Sequence, residues 1–156
     1  KLCLNLDHLR MGVCFMKKYS NNDLILSAIN ASKKSYSPYS KYRVGAALLG
    51  ASGKIYTGCN VENESYGAAI CAERTAVVKA ISEGEQKFVA LAIHGSPHEP
   101  KPNQTYYAFP CGICRQVLSE FAESDLTILI AHSESNYLER TLAELLPDSF
   151  GSDNLE

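Results

Sequence analysis

A chain of 156 residues, 46% of them hydrophobic and carrying 15 Lys plus Arg against 17 Asp plus Glu, suits one compact domain with a single core. No basic run exceeds the pairs Lys17-Lys18 and Lys33-Lys34, so a nucleic-acid footprint is missing, and no apolar run approaches the ~20 residues that span a bilayer. With 6 cysteines and no secretory signal, the chain reads as a soluble, cytoplasmic protein whose cysteines are thiols or ligands and not disulfides.

Residues 1–15 mix apolar positions with Asp7, His8 and Arg10, which breaks any signal-peptide core, and Met16-Lys17-Lys18 has the look of a natural start. They read as a leader or upstream extension, with one domain over 16–150. Asn21 or Asn22 can cap a helix whose apolar residues Leu24, Ile25, Ala28 and Ile29 recur at helical spacing, ending near Lys34. A connection centred on Pro38 leads to a largely buried strand, Tyr42 to Leu49. The chain turns at Ala51-Ser52-Gly53 and returns as a second strand, Lys54 to Cys59, where Cys59 reads as a small buried hydrophobe. A polar loop from Asn60 to Gly67 follows. Helical spacing then runs from Ala68 to Ser82, with Gly84 placed to end it. Phe88 to His94 is strand-like. A charged, proline-rich stretch from Gly95 to Gln104 leads to the short run Tyr106 to Phe109, and Pro110 introduces a helix from Cys111 to about Phe121. Leu126 to Ala131 is a buried strand, and Thr141-x-x-Glu144 fits a capping box for a last short helix that closes at Leu146-Pro147. The acidic segment 151–156 reads as a mobile tail. Alternation of strands and helices predicts an α/β fold, a three-layer α/β/α sandwich with a mixed central sheet.

The chemistry concentrates in Cys71-Ala72-Glu73-Arg74 and Pro110-Cys111-Gly112-Ile113-Cys114-Arg115-Gln116. Cys111 and Cys114, three apart, share a helix face and can grip one ion together with Cys71. Three protein ligands leave a fourth zinc position for water, whose pKa the metal lowers towards neutrality. Glu73, two residues after Cys71, points away from the ligand direction and can serve that water as a proton shuttle. His94, His98 and His132 could close a structural site, but none has ligand spacing to the cysteines. Two helix N-termini at the metal would lower thiol pKa and offset thiolate charge, and Arg74 could add a full positive charge beside it. Cys-x-Glu followed by Pro-Cys-x-x-Cys is also the general signature of zinc base deaminases.

With these residues the chain resembles the small homotetrameric zinc-dependent cytidine deaminases over essentially all of Tyr19 to Phe150. Ser37-Pro38-Tyr39-Ser40, Val44-Gly45-Ala46-Ala47-Leu48, Gly58-Cys59-Asn60-Val61-Glu62-Asn63 and Ser65-Tyr66-Gly67 are similar to that family's blocks, in order. The resemblance implies one zinc per subunit on Cys71, Cys111 and Cys114, proton transfer by Glu73, and ribose binding by Asn60 and Glu62. It also implies base contacts from Ala72 and Tyr42, a role for Tyr66 in the substrate site, and a homotetramer in which Phe150 reaches a neighbouring subunit's pocket. An amide and a carboxylate two apart on an extended loop can indeed face the same hydroxyls. Tyr42 stands where the family usually has Phe, and Glu64 where it more often has Ala. The implied activity is salvage-type deamination of cytidine and 2′-deoxycytidine, with no nucleic-acid or membrane partner. The alternative is a nucleoside-antibiotic deaminase of the blasticidin type, against which Asn60 and Glu62 argue. A polynucleotide deaminase fails for want of a basic groove, and a zinc-stabilised binding module fails on Glu73 and the open metal position.

Overall fold

The structure, a computed structural model, describes residues 19–151 together with 154 and 155. The expectation for residues 1–15 lies outside the described residues, as does most of the segment 151–156. In chain order the elements are α1 (Asn21–Ser32), β1 (Tyr42–Gly50), β2 (Ile55–Cys59), a 3₁₀ turn (Tyr66–Ala68), α2 (Ala72–Ser82), β3 (Phe88–Pro97), α3 (Gly112–Phe121), β4 (Thr127–Ser133), β5 (Asn136–Thr141) and α4 (Leu142–Leu145). The strands form one five-stranded sheet in the order β2-β1-β3-β4-β5. Only β3 and β4 run parallel, joined by the crossover through α3, so the sheet is mixed.

Helices cover both faces. Leu24, Ile25 and Ala28 of α1 pack on Ala47, Leu49, Ala90, Ala92, Leu129 and Ala131. On the other face Ala72, Ala76, Val77 and Ala80 of α2 and Leu118 of α3 pack on Ala46, Leu48, Leu91, Ile93, Ile128 and Ile130. Strand β1 is therefore buried on both sides, which is why its sequence is a continuous apolar run and not an alternation. Each fully buried Leu or Ile stabilises the fold by about 1.5–3 kcal/mol. The three-layer α/β/α expectation holds.

Four local details differ from the sequence reading. The N-cap of α1 is Ser20, whose hydroxyl accepts from the Asp23 N–H while the Asp23 carboxylate accepts from the Ser20 N–H, a reciprocal box one residue before the expected cap. Helix α2 starts at Ala72 and not Ala68, because Ile70 exchanges both backbone hydrogen bonds with Val61 and is held extended. Strand β5 was not anticipated. It is an edge strand of mixed residues, Asn136-Tyr137-Leu138-Glu139-Arg140-Thr141, with no polar–apolar alternation, joined to β4 by Glu134-Ser135, which carry none of the usual hairpin glycines. Cys59, finally, is partly exposed at the end of edge strand β2, where its thiol donates to the Lys34 carbonyl.

Candidate metal centre

Two glycine-lined approaches set the positions of the helices. A Cβ on Gly58 would stand 2.4 Å from the Ala72 carbonyl oxygen, so glycine lets β2 run directly under the first turn of α2. Gly45 does the same for α1, where a Cβ would lie 2.1 Å from the Ala28 carbonyl oxygen. Helix α2 then begins at Cys71, its N-cap with φ −74° and ψ 155°, and α3 begins at Cys111, its N-cap with φ −70° and ψ 167°. Neither cap uses a side-chain hydrogen bond, which leaves both thiols available.

The two caps and Cys114, in the first turn of α3, converge. The Sγ atoms of Cys71 and Cys111 are 3.8 Å apart, those of Cys111 and Cys114 3.5 Å, and all three lie within 4.8 Å of one another. Thiolates held ~2.3 Å from one tetrahedral zinc stand about 3.8 Å from each other, so the donor set fits that ion. None of the candidate histidines joins it. His94 Nδ1–H donates to the Ala131 carbonyl, His98 pairs with Ser37, and His132 Nδ1 accepts from the Tyr106 N–H.

Electrostatics favour a thiolate at Cys71. The hydrogen bond from the Cys114 thiol, with further help from Arg74 and Cys111, outweighs burial and lowers Cys71 to about 5. Cys114 goes the other way, its proton held by the bond it gives to Cys71 and by burial. Arg74 is half-buried and touches the cluster: one terminal nitrogen donates to the Ala69 carbonyl at 3.3 Å and approaches Cys71 Sγ at 3.9 Å. It is therefore not a freely solvated helix arginine. Glu73 is 4% exposed, and burial, reinforced by the Cys71 charge, pushes its carboxyl up to about 7. A group poised there can both take and return a proton near neutrality.

Asn60 and Glu62 lie on the extended segment after β2, and part of their hydrogen-bonding capacity is already engaged. Asn60 Oδ1 accepts from the Val44 N–H at 2.8 Å and from the Ser35 hydroxyl, while Nδ2 donates to the Tyr42 carbonyl at 3.0 Å. One Nδ2–H remains. Glu62 Oε2 accepts from the N–H groups of Tyr39 and Ser40, and the carboxylate keeps acceptor capacity to spare. The pair thus offers one donor and one acceptor, the complement of a hydroxyl. Tyr42 lines a groove of about 590 Å³ with Ser40, Lys41, Pro97, His98 and Glu99. Tyr66 is 79% exposed and packs edge-on against Tyr39. Phe150 is 60% exposed, its carbonyl accepting from Gln116. Sequence reasoning missed Ser35 as a partner of Asn60, 25 positions away, and the Ser37–His98 contact across 61 positions, neither of which has a local signal.

A mixed sheet whose two site-bearing helices point their N-termini at three clustered sulfurs, with a buried carboxyl alongside, defines a zinc-dependent hydrolytic enzyme. The family model for the cytidine and deoxycytidylate deaminase zinc-binding region matches residues 18–138, and the chain belongs to that family. It is 42% identical over 132 residues to the cytidine deaminase of Sporosarcina psychrophila, an alignment covering 85% of this chain and 92% of that one. Its fold matches the crystal structure of cytidine deaminase from Burkholderia pseudomallei with a TM-score of 0.75 and 39% identity, over 85% of this chain and 100% of the other. For cytidine deaminase from Mycobacterium tuberculosis the TM-score is 0.71 and the identity 40%, over 85% and 98%. Among the described residues no helix is long and apolar enough to cross a membrane.

Proposed function

We propose that the chain hydrolytically deaminates cytidine and 2′-deoxycytidine to the corresponding uridines and ammonia, in pyrimidine salvage, through a single domain spanning 16–150. The observation that carries this reading is Glu73, a carboxyl buried to 4% exposure beside the cysteine cluster. Cys71, Cys111 and Cys114 hold zinc, which when bound supplies a Lewis acid that lowers the pKa of a water towards neutrality. Glu73 takes a proton from the attacking water and gives it to ring N3, then takes the proton left on the new C4 hydroxyl and gives it to the departing amine, so that the C4 carbonyl forms as ammonia leaves. Ala72 opens α2, so its N–H has no partner within the helix and can donate to the base. Arg74 and the two helix N-termini offset the charge of three thiolates. Asn60 and Glu62 clasp a ribose hydroxyl, and Tyr42 sets an aromatic face beside the base.

In the homotetramer that family membership suggests, with sites shared between subunits, the exposed rings of Tyr66 and Phe150 would be buried. The test is ammonia release from cytidine, 2′-deoxycytidine, cytosine, dCMP and blasticidin S by zinc-loaded protein beside its Glu73→Ala variant. Rapid, Glu73-dependent turnover of the two nucleosides alone is expected. Turnover of the antibiotic without the nucleosides would assign the other substrate class, and equal rates with and without Glu73 would remove it from the mechanism.

A further inference from the structure

The segment 35–37 is zipped to 60–62: the Tyr36 N–H donates to the Asn60 carbonyl at 3.1 Å and the Glu62 N–H to the Tyr36 carbonyl at 2.9 Å. Along this seam a chain of polar side chains runs outward from Asn60. The Ser35 hydroxyl meets Asn60 Oδ1, the Ser35 and Ser37 hydroxyls are 3.0 Å apart, and His98 Nε2 lies 2.9 Å from Ser37 Oγ. Ser37 is 3% exposed, so its hydroxyl depends on these partners.

Counting protons gives the chain a direction. A backbone donor, Val44 N–H, and a backbone acceptor, the Tyr42 carbonyl, fix which end of the Asn60 amide is oxygen. That oxygen has no proton, so Ser35 spends its one hydroxyl proton on it. Ser37 must then donate to Ser35, and His98 Nε2 must carry a proton to donate to Ser37. Every donor points towards Asn60, and donors in series polarise one another. The Ser35 bond adds to the Val44 and Tyr42 contacts in holding the amide, which keeps one Nδ2–H uncommitted. The His98 backbone is itself anchored, its N–H donating to the Lys41 carbonyl at 2.8 Å. The imidazole also lies within electrostatic reach of Glu62. Despite partial burial, that carboxyl is held below its ordinary range by hydrogen bonds from Ser40 and Tyr39, with His98 adding to them.

We infer that His98 is a positioning residue which, through Ser37 and Ser35, orients Asn60 for a ribose hydroxyl. The inference rests on the assignment of Asn60 and Glu62 to the sugar. The experiment compares zinc-loaded wild type, His98→Ala, His98→Gln and Ser37→Ala on cytidine and on 2′,3′-dideoxycytidine, which lacks both ring hydroxyls. Each alanine variant should lose about three- to tenfold in kcat/KM on cytidine, the net worth of one hydrogen bond, mostly as a rise in KM. The dideoxynucleoside should lose nothing, and His98→Gln, which keeps an N–H donor, should restore the cytidine value. Equal losses on both substrates, or a lower Tm with unchanged discrimination, would reduce the chain to a structural role and overturn the inference. So would unaltered kinetics in both alanine variants. A wild type that turns over the two substrates with the same KM would instead remove Asn60 and Glu62 from the sugar, and His98 with them.

Discussion

Gly58→Ala should damage the metal centre from a distance, and Gly45→Ala should spare it. At position 58 the new Cβ would stand 2.4 Å from the Ala72 carbonyl oxygen, 2.5 Å from the Ala76 nitrogen and 2.9 Å from Thr75 Cβ. Ordinary contact begins at 3.4 Å, so α2 must retreat from β2 by about 1 Å, and no rotamer change relieves a clash with backbone. At position 45 the obstruction is equally severe, with Ala28 oxygen at 2.1 Å and Ser32 nitrogen at 2.3 Å, but the helix displaced is α1 on the opposite face of the sheet. Overpacking of this kind costs typically ~1–3 kcal/mol, occasionally more, and both variants should melt roughly 3–10 °C below wild type. Their chemistry should differ. Helix α2 carries Cys71 at its cap and Glu73 in its first turn, and a 1 Å misplacement of reacting groups can cost about 100-fold in rate. Thermal melts, zinc content and kcat below each melting transition are the assays. Gly58→Ala should lose about two orders of magnitude in kcat and bind zinc less firmly, while Gly45→Ala stays within about threefold of wild type. Normal kcat in Gly58→Ala, or matching losses in the two, would refute the proposed coupling between the β2–α2 contact and catalysis.

Glu73 also imposes a pH dependence on the metal-free protein. Burial raises its carboxyl from 4.5 to about 7, so between those values the folded chain keeps a proton that the unfolded chain has lost, and stability falls as pH rises. The shift amounts to about 3 kcal/mol. Glu73→Gln should therefore unfold in urea at about the wild-type midpoint near pH 4.5 and be more stable by about that amount at pH 8; parallel pH profiles for the two proteins would sink this account. Cys111→Ala should drop zinc from one equivalent per chain to near zero by metal analysis, whereas Cys59→Ser should retain it. Full occupancy in the Cys111 variant would dismiss the three-sulfur assignment.

Much of the fold is legible because its signals are local. The run Val44 to Leu49 announces a strand buried on both faces, Gly84 with φ 90° ends α2 as its position suggests, and the Thr141 to Glu144 capping box is formed as expected. The misreadings share a cause. Ile70 looks helical by spacing but is held extended by Val61, and β5 exists because β4 offers it an edge. Both are tertiary effects with no imprint on the adjacent sequence. The site divides the same way. Three cysteines and a glutamate can be read from spacing, whereas the engagement of Asn60 by Ser35 and Val44, and of Glu62 by Tyr39 and Ser40, depends on a loop folding back across 16 to 25 positions.

The arrangement answers a charge problem. Three thiolates on one dication leave a net negative centre, which weakens the ion as a Lewis acid. The chain counters this before any metal arrives. Cys71 is already inclined to ionise, at about 5, because Cys114 donates to it and Arg74 lies alongside, whereas the Cys114 proton is held firmly. Loading zinc must therefore expel the Cys114 proton, which ties metal affinity to pH. Arg74 remains charged against the burial that opposes it, because Cys71 and Cys114 stabilise its cation. Its Nε is buried without a hydrogen-bond partner, while a terminal nitrogen is shared between the Ala69 carbonyl and Cys71 Sγ. Two helix ends, each worth roughly half a positive charge, complete the compensation. Glu73 gains from the same burial that costs the fold stability: lifted to about 7, it can exchange protons at a pH where an exposed glutamate would remain ionised.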